Sequence, residues 1–136
     1  MKILQYGNEY LDSLLEGNPE SLAYLFHTRI VKWNEPLVSE DECTYGLFND
    51  VEESIKPYIA FDLIPAALDI LHSCKKPSEI DCALWLLLGL IESTQTTEIP
   101  PALKSSIQHI NELAKSSGES QINTVKSISE YYRNGL

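Results

Sequence analysis

The sequence predicts an all-α protein, and the spacing of its apolar residues carries that prediction. Apolar residues recur at intervals of three and four nearly everywhere, as in Ile3, Tyr6, Tyr10 and Leu14, which is the spacing of one helix face. Strict alternation over six residues, the pattern of a half-buried strand, hardly occurs. The chain has 136 residues, 43% of them hydrophobic, which is typical of one globular domain. We therefore expect a single helical domain over residues 1–136.

The first helices are separated by a clear break. Gly17 ends a first helix, and a second begins with Asn18 as its N-cap and Pro19 in its first turn. This second helix is predicted to reach about Val31. The two helices are short and antiparallel, so they form an N-terminal hairpin over residues 1–31.

An acidic loop follows over residues 32–49, where the helical period lapses around Pro36 and Gly46. Between Trp33 and Ile55 the chain has seven acidic residues and no basic residue: Glu35, Glu40, Asp41, Glu42, Asp50, Glu52 and Glu53. Long ordered loops tend to be functional. This stretch is therefore a candidate site.

The rest of the chain predicts further helices, each begun by a proline or a capping residue. Asn49 or Asp50 can cap the first of them, and Ser78 can cap the third. The third is the most apolar helix of the chain, so we expect it to be buried on all sides, with Trp85 in the core. The predicted ranges are 51–56, 64–74, 80–92, 100–116 and 120–133.

An internal repeat is the strongest pattern in the sequence. Ile64-Pro65-Ala66-Ala67-Leu68 recurs 35 residues later as Ile99-Pro100-Pro101-Ala102-Leu103, and each copy opens a helix hairpin. The segment 62–71, followed by Ala83-Leu84-Trp85-Leu86-Leu87-Leu88-Gly89-Leu90-Ile91, resembles an armadillo repeat.

This resemblance implies a short right-handed α-solenoid of HEAT/armadillo-like helix hairpins. The repeat would cover residues 50–93 and a C-terminal hairpin residues 97–134. Trp85 matches the family's tryptophan. Two positions depart from the family pattern: Asp62 stands where the family has glycine, and Gly89 stands where many armadillo proteins have an asparagine that grips an extended peptide.

The charge balance favours a basic protein as the partner. The chain has 20 acidic residues against 10 basic ones, a net charge of -10, and its two arginines are Arg29 and Arg133. Binding to DNA, RNA or an anionic membrane depends on basic residues, so none of these is expected as a direct partner. An acidic protein is steered toward basic ones. The start of the chain has no apolar signal core, and its longest apolar run, Ala83–Ile91, is too short to cross a bilayer. We expect a cytoplasmic protein.

No catalytic pattern is found, so we expect a non-enzymatic protein without a cofactor. His27, His72 and His109 lie in separate predicted helices, and a catalytic site would need a pocket around one of them. His72 and Cys74 would project about 200° apart on one helix, which disfavours a pair. The three cysteines lack paired CxxC spacing, and buried or half-buried thiols are the expected state; they are Cys43, Cys74 and Cys82.

Three interpretations of the acidic stretch remain open. It is a solvated loop, a protein-binding surface or a metal site, although its spacing does not match the calcium-binding loop. Tyr45 would give an interface an aromatic anchor among carboxylates, and Trp33 either joins it or packs on the second helix. The candidate partner-binding residues are Glu35, Glu40, Asp41, Glu42, Tyr45, Asp50, Glu52 and Glu53. Tyr131 and Tyr132 either cover the last hairpin or hold a second subunit.

The size, the acidity and the stretch Ala83–Pro101 with Trp85 are similar to those of small acidic all-helical immunity proteins of bacterial toxin systems. Such toxin systems include contact-dependent growth inhibition. Some of their immunity proteins are built from HEAT/armadillo-like hairpins. The resemblance implies a protein that neutralises a cognate toxin, a basic nuclease acting on RNA or DNA, by occluding its active site with an acidic surface. The alternative is an armadillo-like scaffold module that binds a helix or peptide on the exposed face of helices 80–92 and 120–133.

Overall fold

A computed structural model describes residues 12–27, 53–133 and 135–136. Within these ranges the regular secondary structure is helical and contains no strand, which confirms the all-α prediction. Residues 12–15 form a helical turn that precedes the first helix named here. The helices are α1 Pro19–Phe26, α2 Pro57–Ser73, α3 Pro77–Ser93, α4 Pro101–Ser117 and α5 Glu119–Tyr131.

The start of α1 is the one that the sequence predicts. The Asn18 side-chain oxygen accepts hydrogen bonds from the backbone N–H groups of Glu20 at 2.9 Å and Ser21 at 3.3 Å. These are two of the donors that the first helical turn leaves without a partner inside the helix. Pro19 occupies the first turn, where it loses no helical hydrogen bond. The predicted continuation of this helix over residues 28–31 lies outside the described residues.

Helix α2 begins at Pro57, so the predicted start at Ile64 is wrong. Pro57 takes the first helical turn, and Pro65 lies inside the helix. An internal proline removes one backbone hydrogen bond. Here Pro65 faces solvent, while Ile59, Leu63 and other residues on the opposite face are buried. The apolar face continues across the proline, which explains why the helix does so as well.

The later helix starts and ends follow proline and glycine closely. Helix α3 begins at Pro77 with Lys76 as its N-cap, so the assignment of Ser78 as the cap is wrong. A carboxylate oxygen of Glu79 accepts the Lys76 backbone N–H at 3.5 Å. The predicted start of α4 at the proline pair and its end at Gly118 are confirmed.

The helices pack in consecutive pairs, and the pairs pack on each other. Helix α2 lies against α3, and α4 lies against α5. Between the pairs, α2 contacts α4 and α3 contacts α5, while α1 packs on α2. The shared core is formed largely by aliphatic side chains; its largest fully buried members are Phe26, Leu14, Leu22, Leu25, Leu63, Ile64, Leu71, Leu84, Leu87 and Leu90.

One face of α3 remains exposed, which corrects the expectation that this helix is buried on all sides. The Trp85 side chain is 60% exposed, and Leu88 is half-buried. Both lie on the side of α3 that faces the neighbouring helix α5 at the surface. Trp85 is therefore a surface residue, and its predicted place in the core is wrong.

A search of the described helices finds none that is both long enough and apolar enough to cross a membrane.

Candidate functional site

Most of the predicted acidic site lies outside the described residues. Glu53 is within them and is exposed, four residues before α2. The structure therefore does not test whether the predicted partner-binding residues lie close together. The members outside the described ranges are Glu35, Glu40, Asp41, Glu42, Tyr45, Asp50 and Glu52.

The described helices form a surface groove between α3 and α5, which we call the Trp85 groove. It has a volume of about 470 Å³. Trp85 and Leu88 of α3 form its apolar wall. Polar side chains of α5 form the other wall: Glu119, Ser120, Asn123, Thr124 and Ser127.

Two hydrogen bonds between α3 and α5 fix the end of this groove. The Ser120 hydroxyl donates to a carboxylate oxygen of Asp81 at 3.1 Å. The Gln121 side-chain amide donates to the backbone carbonyl of Pro77 at 3.1 Å, and Gln121 is buried. Asp81 is one helical turn before Trp85, so both lie on the same side of α3. These hydrogen bonds fix the positions of α3 and α5, the two helices that form the walls of the groove, relative to each other.

The charged residues at the described part of the Trp85 groove are acidic. Glu119 lies in its lining, and Asp81 reaches the lining through Ser120. Among the described residues, neither a lysine nor an arginine lines it. An apolar aromatic face next to hydrogen-bond acceptors suits a cationic or donor-rich ligand, and it disfavours an anionic one.

The structure also brings together two histidines from separate predicted helices. The rings of His72 in α2 and His109 in α4 pack edge to face with their centroids 4.8 Å apart. Their pairing follows from the contact between α2 and α4. Burial lowers the pKa of His72, the neighbouring His109 lowers it further, and Asp69 opposes both effects. His27 lies elsewhere, against the ring of Phe26.

This lowered pKa predicts a loss of stability on acidification. The folded chain disfavours protonated His72, so the unfolded chain binds more protons once the pH falls below its ordinary pKa of 6.5. The free energy of unfolding should then decrease until the pH passes the folded pKa. His72 is largely exposed, so the effect should be small. Urea unfolding at pH 7.5 and 5.5 measures it, and His72→Gln should show a smaller decrease than the unsubstituted protein. Equal decreases would contradict the assignment.

The two described cysteines are protected thiols, as the sequence predicts. Cys74 is buried and donates to the backbone carbonyl of Ile70 at 3.2 Å. Burial raises its pKa to about 11. Cys82 is half-buried, and burial followed by the nearby Asp81 carboxylate raises its pKa as well. A thiol that stays protonated near neutral pH is a poor nucleophile. Cys43 lies outside the described ranges.

The tyrosine pair at the end of α5 packs onto the fold. Tyr132 is 4% exposed, and the hydroxyl of the half-buried Tyr131 donates to the backbone carbonyl of Thr96 at 3.0 Å. The two rings lie edge to face with centroids 5.0 Å apart. The tyrosine pair therefore covers the last hairpin, one of the two roles that the sequence allows.

No protein-family model, no curated protein and no solved structure matches this chain.

Proposed function

We propose that this chain is an immunity protein that binds and neutralises a cognate toxin, a basic nuclease domain. It would act in the cytoplasm as a binding protein, with no catalytic step, no cofactor and no direct contact with nucleic acid or membrane. The observation that carries the proposal is the Trp85 groove, an exposed tryptophan beside carboxylates in a chain of net charge -10.

Within this proposal the fold is a short right-handed α-solenoid of HEAT/armadillo-like hairpins. The pattern of helix contacts supports it: α2 with α3 and α4 with α5 make two hairpins. The first helices of the two hairpins contact each other, and so do the second helices. Stacked repeats bury a continuous core in this way and present one side as a binding surface.

The proposed mechanism is occlusion guided by charge. A nuclease that acts on RNA or DNA has a basic cleft, and clustered carboxylates can occupy the positions that phosphates would take. Long-range attraction raises the association rate more than the affinity. Most of the affinity would come from desolvated aromatic anchors, because an exposed ion pair contributes at most about 1 kcal/mol. Bound at the cleft, the protein would exclude the substrate.

The direct test is co-purification with the product of the adjacent upstream gene, since an immunity gene normally follows its toxin gene. Calorimetry of the pair at low and high salt should show nanomolar binding that weakens as salt increases. Addition of the protein should also stop the toxic activity. Absence of binding to that gene product, or binding that leaves the activity intact, would overturn the immunity proposal.

The acidic stretch gives a prediction of its own. Glu40→Lys combined with Glu42→Lys should slow association with the basic partner by about tenfold or more at low salt, because steering contributes about 10- to 1000-fold to such rates. The remaining binding should depend less on salt. Stopped-flow association rates at several salt concentrations measure both effects.

A matched control separates the local effect from net charge. Glu112→Lys combined with Glu130→Lys makes the same change in net charge at two exposed positions of α4 and α5. If both double variants slow association equally, the effect belongs to the net charge and the acidic stretch is not the contact surface. Unchanged rates in the first variant would reject its role in steering altogether.

The Trp85 groove also supports the alternative function, a scaffold module that binds a helix or peptide. The groove lies between the two helices on which that hypothesis placed the binding face. The location of the contacts distinguishes the two functions: an inhibitor uses the acidic stretch, and a scaffold uses the groove alone. For an inhibitor, amide exchange of the complex would show protection over residues 35–53 together with α3 and α5. For a scaffold, it would show protection over α3 and α5 alone.

A further inference from the structure

We infer that the Trp85 groove binds an arginine side chain of the basic partner, with the guanidinium stacked on the Trp85 indole and within reach of the Glu119 carboxylate. This inference rests on the proposed binding of a basic protein and names the chemistry of the contact. It adds a contact surface formed by α3 and α5.

The exposed indole of Trp85 offers a large area for a partner to cover. A tryptophan buries a large area when it is covered, and tryptophan and arginine are the residue types enriched among the dominant contacts of protein interfaces. Trp85 is 60% exposed in a concave setting, with Leu88 beside it and α5 opposite. A flat cation placed there would cover the indole and remain partly enclosed by both helices.

The charge around the indole selects a cation as the occupant. Glu119 lines the groove, Asp81 is held at its edge by Ser120, and the lining contributed by residues 12–27 and 53–133 contains no basic side chain. A cation over an aromatic face contributes about 0.5–1 kcal/mol at an exposed site, and more when water is excluded. Negative charge beside the ring adds to that attraction, whereas an acidic partner segment would be repelled.

The polar wall of the groove favours arginine over lysine. A guanidinium has a planar face for stacking and five N–H donors in its plane, whereas an ammonium is a compact, strongly hydrated charge. The wall offers acceptors to those donors: the Glu119 carboxylate, the Asn123 side-chain oxygen and the hydroxyl oxygens of Ser120, Thr124 and Ser127. Thr124 and Ser127 donate their hydroxyl protons to carbonyls within α5, so their oxygens are left to accept.

The groove is also preformed, which lowers the entropy lost on binding. The Ser120 and Gln121 hydrogen bonds tie α5 to the first turns of α3. Next to Trp85, Leu84 and Leu86 are both buried in the core and fix that turn of α3. An arginine side chain would therefore bind without a rearrangement of α3 or α5.

The experiment uses the full-length protein with hexa-arginine and hexa-lysine peptides as probes at about 0.15 M salt, where distant charges are screened beyond about 8 Å. A Trp33→Phe background leaves Trp85 as the sole tryptophan, so its fluorescence reports on the groove directly. We expect hexa-arginine to change the Trp85 emission and to bind several-fold more tightly than hexa-lysine. Calorimetry should show about tenfold weaker binding of hexa-arginine to Trp85→Ala and a smaller weakening with Glu119→Gln.

The matched control is Tyr58→Ala. Tyr58 is 64% exposed and lies in another groove with two carboxylate residues, Asp62 and Glu98. It therefore tests whether any exposed aromatic beside acids gives the same result. Equal weakening by the Tyr58 and Trp85 substitutions, or equal affinity for the two peptides, would overturn the inference. Circular dichroism of each variant confirms that it is folded.

Failure of this inference can be told apart from failure of the proposed function. If the toxin binds Trp85→Ala as tightly as the unsubstituted protein, the immunity function stands and the arginine contact is rejected. If hexa-arginine binds at Trp85 but the upstream gene product does not bind, the groove assignment stands and the immunity function is rejected.

Discussion

Leu87→Ala is expected to lower the free energy of unfolding by about 3 kcal/mol, within the range of about 2–5 kcal/mol for leucine-to-alanine changes in cores. Leu87 is fully buried in α3, which packs on α2, α4 and α5 at once. The substitution removes three buried carbon atoms and leaves a cavity between helices that are held by several neighbours and cannot easily close it. Urea unfolding followed by helical circular dichroism measures the change.

The adjacent residue offers a control with the same chemistry. Leu88 is half-buried and lines the Trp85 groove, so Leu88→Ala opens space toward solvent and should cost clearly less than Leu87→Ala. Both substitutions change helix propensity equally. If the two variants were equally destabilised, the assignment of the buried and exposed sides of α3 would be wrong.

The starts of α1 and α4 and the break at Gly118 are predicted well by the sequence, whereas the starts of α2 and α3 are not. Asn18, Pro19 and Gly118 act through local geometry, which depends little on the rest of the fold. Pro65 does not by itself define a helix start, because a proline can open a helix or be tolerated within one. The choice depends on whether the apolar face continues across it, and in α2 it does, since Leu63, Ile64, Ala67 and other residues on both sides of the proline are buried.

The candidate site was harder to predict because it depends on contacts between distant segments. Trp85 lies in the most apolar run of the chain, which predicts a core residue, but its side chain lies on the exposed face of α3. The spacing around Trp85 indicated an exposed position, since Asp81 and Leu88 lie on the same side of α3 as Trp85 and Asp81 is charged. The sequence contains no such signal for the pair His72 and His109, because the contact between α2 and α4 cannot be predicted from the sequence of either helix alone.

Gly118→Ala should destabilise the protein although residue 118 is only half-buried. Gly118 alone joins α4 to α5, and its backbone lies at φ 149° and ψ -179°. A residue with a β-carbon rarely adopts this conformation, and strain of this kind costs about 1–3 kcal/mol. We expect unfolding stability to fall by about 2 kcal/mol by that reasoning, measured by urea unfolding, with Ser117→Ala as the neighbouring control.

The added methyl group should act through Gln121 as well as through the backbone. A β-carbon at residue 118 would lie 3.1 Å from the side-chain oxygen of Gln121, whose amide group holds α5 to Pro77 of α3. Displacing that side chain would weaken the tie at the end of the Trp85 groove. In a double-mutant cycle, Gly118→Ala should therefore cost less in a Gln121→Ala background than in the unsubstituted protein. Additive costs would assign the whole effect to backbone strain, and a cost no larger than that of Ser117→Ala would contradict the strained turn itself.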